Sequence, residues 1–267
     1  MMNSSYLCRM KQTDEFRRFV KEHAGDDLTR LLLSASRYPS IDVPFAVDQI
    51  ASRRQIREKL PLWYANDDLL FPSKISAEQC SSEQTASYKQ RLVKEDETLY
   101  DLTGGLGIDS YYFSRKVRQV TYIERFPVYC EAARNNFSAL GVDNITVMEG
   151  DSTMLISQLP RTDVFYIDPA RRGEGNKRVF ALQDCEPDLP ALLPELFRHA
   201  PKVIAKLSPM ADIRLTLELL PGTTEVHVLS VKNECKELLF VVERDASVTS
   251  PAVSYTHLRA HETPEHL

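Results

Sequence analysis

The sequence predicts an α/β fold in which a mostly parallel sheet follows a helical N-terminal region. Before about residue 95, apolar residues recur at helical spacing. After it, short apolar runs alternate with helical segments, which is typical of a parallel sheet with helices on both faces. The last two apolar runs, 225–231 and 238–243, lie only about six residues apart, so they predict an antiparallel hairpin rather than a helical crossover.

This pattern divides the chain into three parts: a helical N-terminal region over residues 1–95, a sheet domain over 96–245 and a tail over 246–267. Prolines separate the helical segments of the first part. The sheet domain is predicted to hold seven strands, over residues 99–102, 120–123, 145–148, 164–167, 203–207, 225–231 and 238–243. Its helices are predicted over residues 108–115, 128–140, 154–159, 189–198 and 213–220.

Composition excludes several classes of protein. Of the 267 residues, 43% are hydrophobic and 27% are charged, which is typical of a globular protein and not of a disordered chain. No stretch approaches the roughly 20 apolar residues of a membrane-spanning helix, and the charged N-terminus does not resemble a signal peptide. We therefore expect a cytoplasmic protein without a membrane partner. The five cysteines lack the paired spacing of a zinc site, so no metal is expected.

The strongest chemical signal is the glycine-rich turn after the first predicted strand. Residues 101–109 read DLTGGLGID, and ligands of open α/β sheets bind at this edge. The carboxylate of Asp101 would repel a phosphate, so the turn favours a ligand with a positive group or hydrogen-bond donors. Glu124, which ends the second strand, can accept both hydroxyls of a ribose. Asp151 follows the third strand, where it can receive the amino group of an adenine.

Three acids around one glycine loop describe an adenosine with a cationic, amine-containing arm, as in S-adenosylmethionine (SAM). Together with Asp168-Pro169, these motifs resemble those of class I SAM-dependent methyltransferases over about residues 78–243. The resemblance implies a methyltransferase that uses SAM, with a Rossmann-like seven-stranded sheet whose last strand is antiparallel. The implied cofactor contacts are Asp101, Thr103, Gly104, Gly105, Gly107, Asp109, Glu124, Asp151, Asp168 and Pro169. The alternative is an α/β domain without a nucleotide, in which the acids are incidental.

In this family, the turn after the fourth strand faces the methyl acceptor, and here residues 168–172 read DPARR. Enzymes that methylate exocyclic amines of bases have an acid or Asn, two prolines and an aromatic residue there. This chain departs from that pattern, because Ala170 replaces the second proline and Arg171 the aromatic residue. Asp168 is the candidate catalytic residue, since it would orient or deprotonate the acceptor. The candidate substrate contacts are Arg171, Arg172 and Lys206.

The same turn is nearer to the DPPR turn of uracil-C5 RNA methyltransferases. Those enzymes need a cysteine nucleophile near the end of the fifth strand, because C5 becomes reactive only after a thiolate adds at C6. Here residues 205–209 read AKLSP, and Cys185 lies instead in the loop after the fourth strand. Uracil-C5 chemistry is therefore disfavoured.

A bacterial group of methyltransferases that contain a THUMP-like domain is a closer match. The resemblance lies in residues 78–86 (EQCSSEQTA), in the glycine loop, and in the segments YIDPARR and NECKEL. The THUMP name implies RNA, so a tRNA or rRNA substrate follows by analogy alone. Two alternatives stay open: a SAM-binding RNA module without turnover, and a methyltransferase for proteins or small molecules.

Basic residues are candidates for RNA contacts at two places. The net charge is −5, but residues 1–95 hold 15 Lys and Arg against 13 Asp and Glu. In this N-terminal region, a helix is predicted over residues 48–60. Its polar side is either a solvated face or an RNA contact, and its cations are Arg53, Arg54, Arg57 and Lys59. The loop after the fourth strand either holds RNA phosphates or is neutralised by its own acids; its cations are Arg171, Arg172, Lys177 and Arg178.

The end of the chain has a different character. From about Val253 it reads VSYTHLRAHETPEHL, which resembles the translation of sequencing-adapter DNA. We therefore expect this tail to lie outside the fold, its histidines His257, His261 and His266 to bind no metal, and a natural chain to continue past this point.

Overall fold

The computed structural model describes residues 13–171, 182, 185–246 and 250–258. The strands are, in chain order, β1 Thr98–Asp101, β2 Gln119–Glu124, β3 Ile145–Glu149, β4 Val164–Ile167, β5 Ala170–Arg171, β6 Cys185–Glu186, β7 Lys202–Leu207, β8 Thr223–Val231, β9 Glu234–Glu243 and β10 Ala252–Leu258. The described helices are α1 Asp14–Glu22, α2 Leu28–Leu33, α3 Val43–Ile56, α4 Pro61–Ala65, α5 Lys74–Gln79, α6 Glu83–Lys89, α7 Ile108–Ser114, α8 Pro127–Ala139, α9 Ser152–Leu155, α10 Leu189–His199 and α11 Ile213–Leu219.

Eight strands form one mixed sheet in the order β10-β8-β9-β7-β4-β1-β2-β3. Strands β3, β2, β1, β4 and β7 are parallel to one another, and β9 is antiparallel to both β7 and β8. The hairpin of β8 and β9 turns at Lys232 and Asn233, which both have positive φ, as a two-residue turn of the primed type requires. Successive strands lead away from β1 on one side and from β4 on the other, so the switch point lies between these two strands.

The predicted α/β sheet with an antiparallel last hairpin is confirmed, but the predicted count of seven strands is wrong. The eighth strand is β10, which pairs in parallel with β8 from Ala252 to Leu258. This segment belongs to the tail that we expected to lie outside the fold. Exposed and less exposed residues alternate along it from Val253 onwards, and Leu258 is buried. The adapter origin of the tail stays a prediction, and His261 and His266 lie outside the described residues.

The N-terminal helices pack directly on the sheet domain. Phe16, Phe45 and Ile50 form one buried cluster with Ala132 of α8. A second cluster joins Trp63 and other residues of the helical region to residues of the glycine loop and α7. Within the part of the chain that the structure describes, no helix is long and apolar enough to cross a membrane.

Helix α3 begins and ends earlier than the predicted helix over 48–60. The carboxylate of Asp42 caps it, and Pro44 lies in its first turn, where a missing N–H costs nothing. Arg53 is only partly exposed and donates to the carbonyls of Asn66, Asp67 and Leu69, so part of the predicted polar face anchors the chain and is not a solvated surface.

Residues 69–71 form a buried segment outside the helices and strands. The side-chain amide of Asn136 both donates to and accepts from the backbone of Leu70. The amide of Gln49 does the same for Phe71. Because these four backbone groups are buried, each would be costly to leave without a partner. The two amides therefore fix the segment that leads into α5 and α6.

Candidate functional site

A cleft of about 290 Å³ opens at the carboxyl ends of the central strands. Ligands bind at this edge of open α/β sheets, next to the switch point. Nine of the ten predicted cofactor contacts line it: Asp101, Thr103, Gly104, Gly105, Gly107, Asp109, Glu124, Asp151 and Asp168. The tenth, Pro169, is buried beside the cleft. The N-terminal region adds part of the wall through Ser76, Gln79, Cys80 and Ser81.

The glycine loop packs tightly against β2 and α8, and these two contacts explain two of its glycines. A Cβ atom on Gly104 would lie 2.3 Å from the ring of Tyr122, and one on Gly107 would lie 2.8 Å from the ring of Phe137. Gly107 also has a φ of +85°, which side chains other than glycine rarely adopt. The Tyr122 hydroxyl donates to the carbonyl of Gly105 at 2.6 Å. The loop backbone is therefore held close to the cleft.

Glu124 closes the loop from the end of β2. Its Oε2 accepts from the amide of Gly105 at 3.0 Å, and its Oε1 accepts from the amide of Phe126 at 2.9 Å. Each carboxylate oxygen can accept a further hydrogen bond. The side chain is therefore fixed in place and can still receive two hydroxyl groups.

Asp101 lies beneath the loop and is only 1% exposed. It accepts hydrogen bonds from the Ser110 hydroxyl at 2.6 Å and from the amide of Thr103 at 3.1 Å. Burial, reinforced by the nearby charge of Asp109, raises the pKa of Asp101 to about 7, although the hydrogen bond from Ser110 opposes this rise. Asp101 thus organises the turn and is protonated more readily than an ordinary carboxyl group.

Asp151 lies at the rim, at the start of α9. Its Oδ1 accepts from the amide and the hydroxyl of Thr153, so the carboxylate caps the helix. No donor among the described residues forms a hydrogen bond to its Oδ2. Phe126, half exposed, lines the same side of the cleft. A polar oxygen and an aromatic surface are therefore available together at the rim.

Below the loop, a buried ionic network links the N-terminal region to the sheet. Lys89 of α6 is 0% exposed, and its Nζ lies 2.7 Å from Asp109, 2.9 Å from Ser81 and 3.2 Å from Glu237 of β9. Asp109 also accepts from Ser81 at 2.8 Å and from the Tyr166 hydroxyl at 2.7 Å. Burial alone would raise the pKa of Asp109, but the charges of Lys89 and Lys206 outweigh it and lower the pKa to about 2. Asp109 is therefore an ionised anchor of the network.

Lys206 extends this network to the predicted catalytic residue. Its Nζ donates to Asp168 Oδ2 at 2.6 Å and to the Ser81 hydroxyl at 3.2 Å. Burial would lower the pKa of Lys206, but the negative charges around it, that of Asp168 first, raise it well above its usual value. The amide of Asp168 donates to the Thr103 hydroxyl at 2.7 Å, so its backbone is fixed as well. The structure thus brings two sequence-predicted site residues together as an ion pair.

Of the four predicted cations in the loop after β4, only Arg171 belongs to the described residues. Arg171 ends β5, which pairs with β6 at Cys185 in a small antiparallel ribbon. Arg172, Lys177 and Arg178 lie outside the described residues. Within the described ranges, no group of His, Cys, Asp or Glu could hold a metal ion.

The sequence interpretation missed four residues of the network: Ser81, Lys89, Tyr166 and Glu237. Ser81 falls in the segment 78–86 that supported the family resemblance, but no role was assigned to it. Lys89 has the spacing of an ordinary polar helix residue, and Glu237 falls just outside the predicted strand 238–243. The charges of Lys89 and Glu237 become buried and adjacent only because α6 packs against the sheet.

Comparison with known proteins agrees with this fold. No protein-family model matches the sequence. A crystal structure from Porphyromonas gingivalis W83, described as a "putative methyltransferase", is 34% identical with a TM-score of 0.76; the match covers 92% of this chain and 60% of that chain.

Two curated proteins match shorter stretches. An "uncharacterized RNA methyltransferase" of Clostridium tetani is 29% identical over 100 residues, which are 36% of this chain and 22% of the relative. An uncharacterized protein of Methanocaldococcus jannaschii is 34% identical over 64 residues, 24% of this chain and 25% of the relative. The chain thus spans less than two thirds of each of the three proteins. The sheet order, the glycine loop and the likeness to the P. gingivalis structure show that the chain has the mixed α/β, Rossmann-like fold of methyltransferases.

Proposed function

We propose that the protein is a SAM-dependent methyltransferase that methylates RNA. The observation that most supports this proposal is the glycine loop, whose Gly105 amide is bound by Glu124 beside the switch point of the sheet. Carboxylates at that position suit the hydroxyls of a ribose and a cationic amino acid arm. The description of the P. gingivalis protein, with which 92% of this chain aligns at 34% identity, supports the same class of reaction.

The cleft fits SAM in size and in chemistry. Its volume of about 290 Å³ is close to the lower end of the range for small-molecule sites. Glu124 would hold the ribose, Asp151 the adenine amino group, and Phe126 would offer apolar surface to the adenine ring. Bound SAM would supply an activated methyl group, and its direct displacement by an acceptor depends mainly on orientation.

Asp168 is the residue that we assign to the methyl acceptor. Lys206 binds one of its oxygens, Thr103 fixes its backbone, and its side chain is 38% exposed. Its second oxygen would accept a hydrogen bond from an N–H or O–H group of the acceptor and hold that group in line for transfer. Lys206 would then act through Asp168, whereas Arg171 stays a proposed contact of the substrate.

The RNA substrate, a tRNA or an rRNA, is the finer part of the proposal. It is supported by the description of the C. tetani relative and by the resemblance to the THUMP-like group. The cations of the loop after β4 would meet the phosphates, because arginine and lysine supply most phosphate contacts in such complexes.

A SAM-binding RNA module without turnover is the second candidate. It is favoured by the turn after β4, where Ala170 and Arg171 stand in place of a proline and a base-stacking aromatic residue. It would bind SAM and RNA as the enzyme does, so only transfer distinguishes the two.

The test combines calorimetry with label transfer. Tritiated SAM would be incubated with RNA from a strain that lacks the gene, followed by identification of the modified nucleoside by mass spectrometry. Asp168→Asn is expected to keep SAM affinity while turnover falls by roughly 10²–10⁴. Glu124→Ala is expected to weaken SAM binding by roughly 1.5–3 kcal/mol, because one charged hydrogen-bonding partner is lost.

Each candidate has its own outcome in this test. SAM binding without transfer to any RNA would favour the module without turnover. Transfer to the protein fraction would show a different acceptor class. Tight SAM binding that Glu124→Ala leaves unchanged would contradict the assigned ribose contact.

A further inference from the structure

A second cavity lies in the helical N-terminal region and shares no lining residue with the cleft. It measures about 380 Å³ and lies between α1, α3 and the residues that end α4. We call it the helical groove. Nothing in the SAM-binding arrangement requires it.

The helical groove is basic, although the chain as a whole is acidic. Its lining contains one carboxylate, Asp67, and five cations: Arg17, Lys21, Arg53, Arg54 and Arg57. Asp67 pairs with Lys21, and Arg17 pairs with Asp14 and Asp68 at the edge. The two α3 cations Arg53 and Arg54 have no such carboxylate partner among the described residues.

Backbone carbonyls hold these two guanidinium groups. Arg53 donates to the segment 64–69, and Arg54 donates to the carbonyls of Ala24 and Asp26. A carbonyl is a neutral acceptor, so it fixes an arginine without cancelling its charge. Burial lowers the pKa of Arg53, and the nearby charge of Asp67 opposes this shift without outweighing it. The helical groove therefore presents fixed positive charge.

Arg57 is the cation best placed to meet a ligand. It is exposed at the end of α3, and no hydrogen bond or ion pair joins it to the part of the chain that the structure describes. Its side chain is thus free to move onto an anion at the mouth of the groove.

The floor of the helical groove is apolar. Phe16, Val20 and Ile50 form it, and Tyr64, 37% exposed, stands at its edge. Positive charge next to an apolar floor with an aromatic edge suits a flat heterocycle that carries a phosphate. In a nucleic acid, a base that is already unpaired enters such a pocket at the lowest cost, because no base pair has to be broken.

We propose that the helical groove binds an unpaired nucleotide of the RNA substrate, with the base on the apolar floor and its phosphates at Arg54 and Arg57. This inference rests on the proposed RNA substrate and names the single-stranded form that the protein recognises.

The position of the groove connects it with the cleft. Arg57 and Lys59 are two residues apart, which is at most about 7 Å of chain. Lys59 donates to the carbonyl of Glu78 at 2.8 Å and is close to Cys80, which lines the cleft. The mouth of the helical groove and the wall of the cleft are therefore joined by a short stretch of chain.

The test measures RNA binding by fluorescence anisotropy at several salt concentrations. The probes are a labelled single strand of about 12 nucleotides, the same strand in a duplex, and AMP as competitor. Arg57→Gln is expected to weaken single-strand binding about fivefold to tenfold at low salt and to reduce the log–log salt slope by about 0.7. Tyr64→Ala is expected to weaken it at least about fivefold by loss of stacking. The matched control is Arg214→Gln on α11, a side chain 92% exposed, which should have no effect.

Several results would overturn the inference. The first is that the wild-type protein binds the single strand no more tightly than the duplex. The second is that Arg57→Gln and Arg214→Gln weaken single-strand binding equally. The third is that AMP displaces the labelled strand as effectively as the unlabelled strand does. Unchanged RNA methylation kinetics in Arg57→Gln would also overturn it and would leave the proposed methyltransferase intact. Failure of SAM calorimetry on the wild type would instead contradict the proposed function itself.

Discussion

The ammonium of Lys206 lies 2.6 Å from the carboxylate of Asp168, where the neighbouring strands β7 and β4 end. Ser81, from the N-terminal region, accepts a hydrogen bond from the same ammonium at 3.2 Å. The acid proposed to orient the methyl acceptor is thus positioned by two parts of the chain that lie far apart in sequence. We therefore propose that Lys206 acts through Asp168 rather than by direct contact with the substrate.

Lys206→Met tests this positioning role. Without its partner, the Asp168 carboxylate would sample other rotamers, and misplacement of about 1 Å can cost roughly 10²-fold in rate. We expect kcat to fall by about that factor while SAM affinity, measured by calorimetry, stays within about twofold.

Lys202→Met is the matched control for that variant. Lys202 lies on the same strand and binds Glu97, far from the lining of the cleft. It should lower stability without lowering the turnover of the folded protein. Equal turnover of Lys206→Met and wild type would contradict the positioning role.

Lys89→Met tests the buried network. The substitution removes the cation that pairs with both Asp109 and Glu237, so these buried carboxylates keep only the nearby charge of Lys206. Breaking a buried pair in this way typically costs about 3–5 kcal/mol, so we expect a large fall in the denaturation midpoint. Lys116→Met removes the exposed pair with Glu95 and should cost at most about 1 kcal/mol. Similar losses from both variants would show that the network does not stabilise the fold.

The sheet and the glycine loop could be predicted from the sequence because their signals are local. Strand β4 is a run of four buried residues, and the loop glycines lie between a strand and a helix. The network could not be predicted in this way. Lys89 and Glu237 are 148 positions apart, and neither shows in its own surroundings that its charge is buried.

The tail shows a different limit. Its resemblance to adapter DNA led us to exclude it, although the alternating pattern of Ala252–Leu258 is compatible with an edge strand. The resemblance concerns where a sequence comes from, whereas pairing with β8 depends only on the backbone and on the side chains present. The origin of the segment therefore does not decide whether it forms a strand.

The stability of the protein should fall as pH rises from about 4 to about 7, in part because of Asp101. Its folded pKa of about 7 lies above the unfolded value, so the folded state binds the proton more tightly and deprotonation favours unfolding. The contribution of Asp109 to stability depends on pH in the opposite direction, because its folded pKa of about 2 lies below the unfolded value. This contribution is lost only below about pH 4, so it is constant between about pH 4 and 7.

Asp101→Asn should therefore flatten the pH dependence of the melting temperature between about pH 4 and 7. Asn imitates the protonated acid and can still accept from Ser110. The exposed Asp96→Asn variant should follow the wild-type profile. A wild-type slope that Asp101→Asn leaves unchanged would show that another group titrates in this range.

Removal of the chain from residue 252 onwards tests the eighth strand. Strand β10 pairs with β8 along seven residues, Leu258 packs with Tyr88 and Leu229, and the Thr256 hydroxyl donates to that of Tyr88. We expect the melting temperature to fall by several degrees, since a loss of about 1–2 kcal/mol shifts Tm by about 2–4 °C per kcal/mol in a protein of this size. SAM affinity should be unchanged, because β10 is at the sheet edge and no residue of it lines the cleft.

The same deletion exposes β8 as a long sheet edge, and such edges pair with other chains. We therefore expect light scattering to detect self-association of the shortened protein at concentrations where the full chain does not associate. A matched deletion from residue 259 keeps β10 and should keep both the melting temperature and the oligomeric state of the full chain. If the deletion from 252 has no effect on either, pairing with β8 contributes nothing to the stability of the fold in solution.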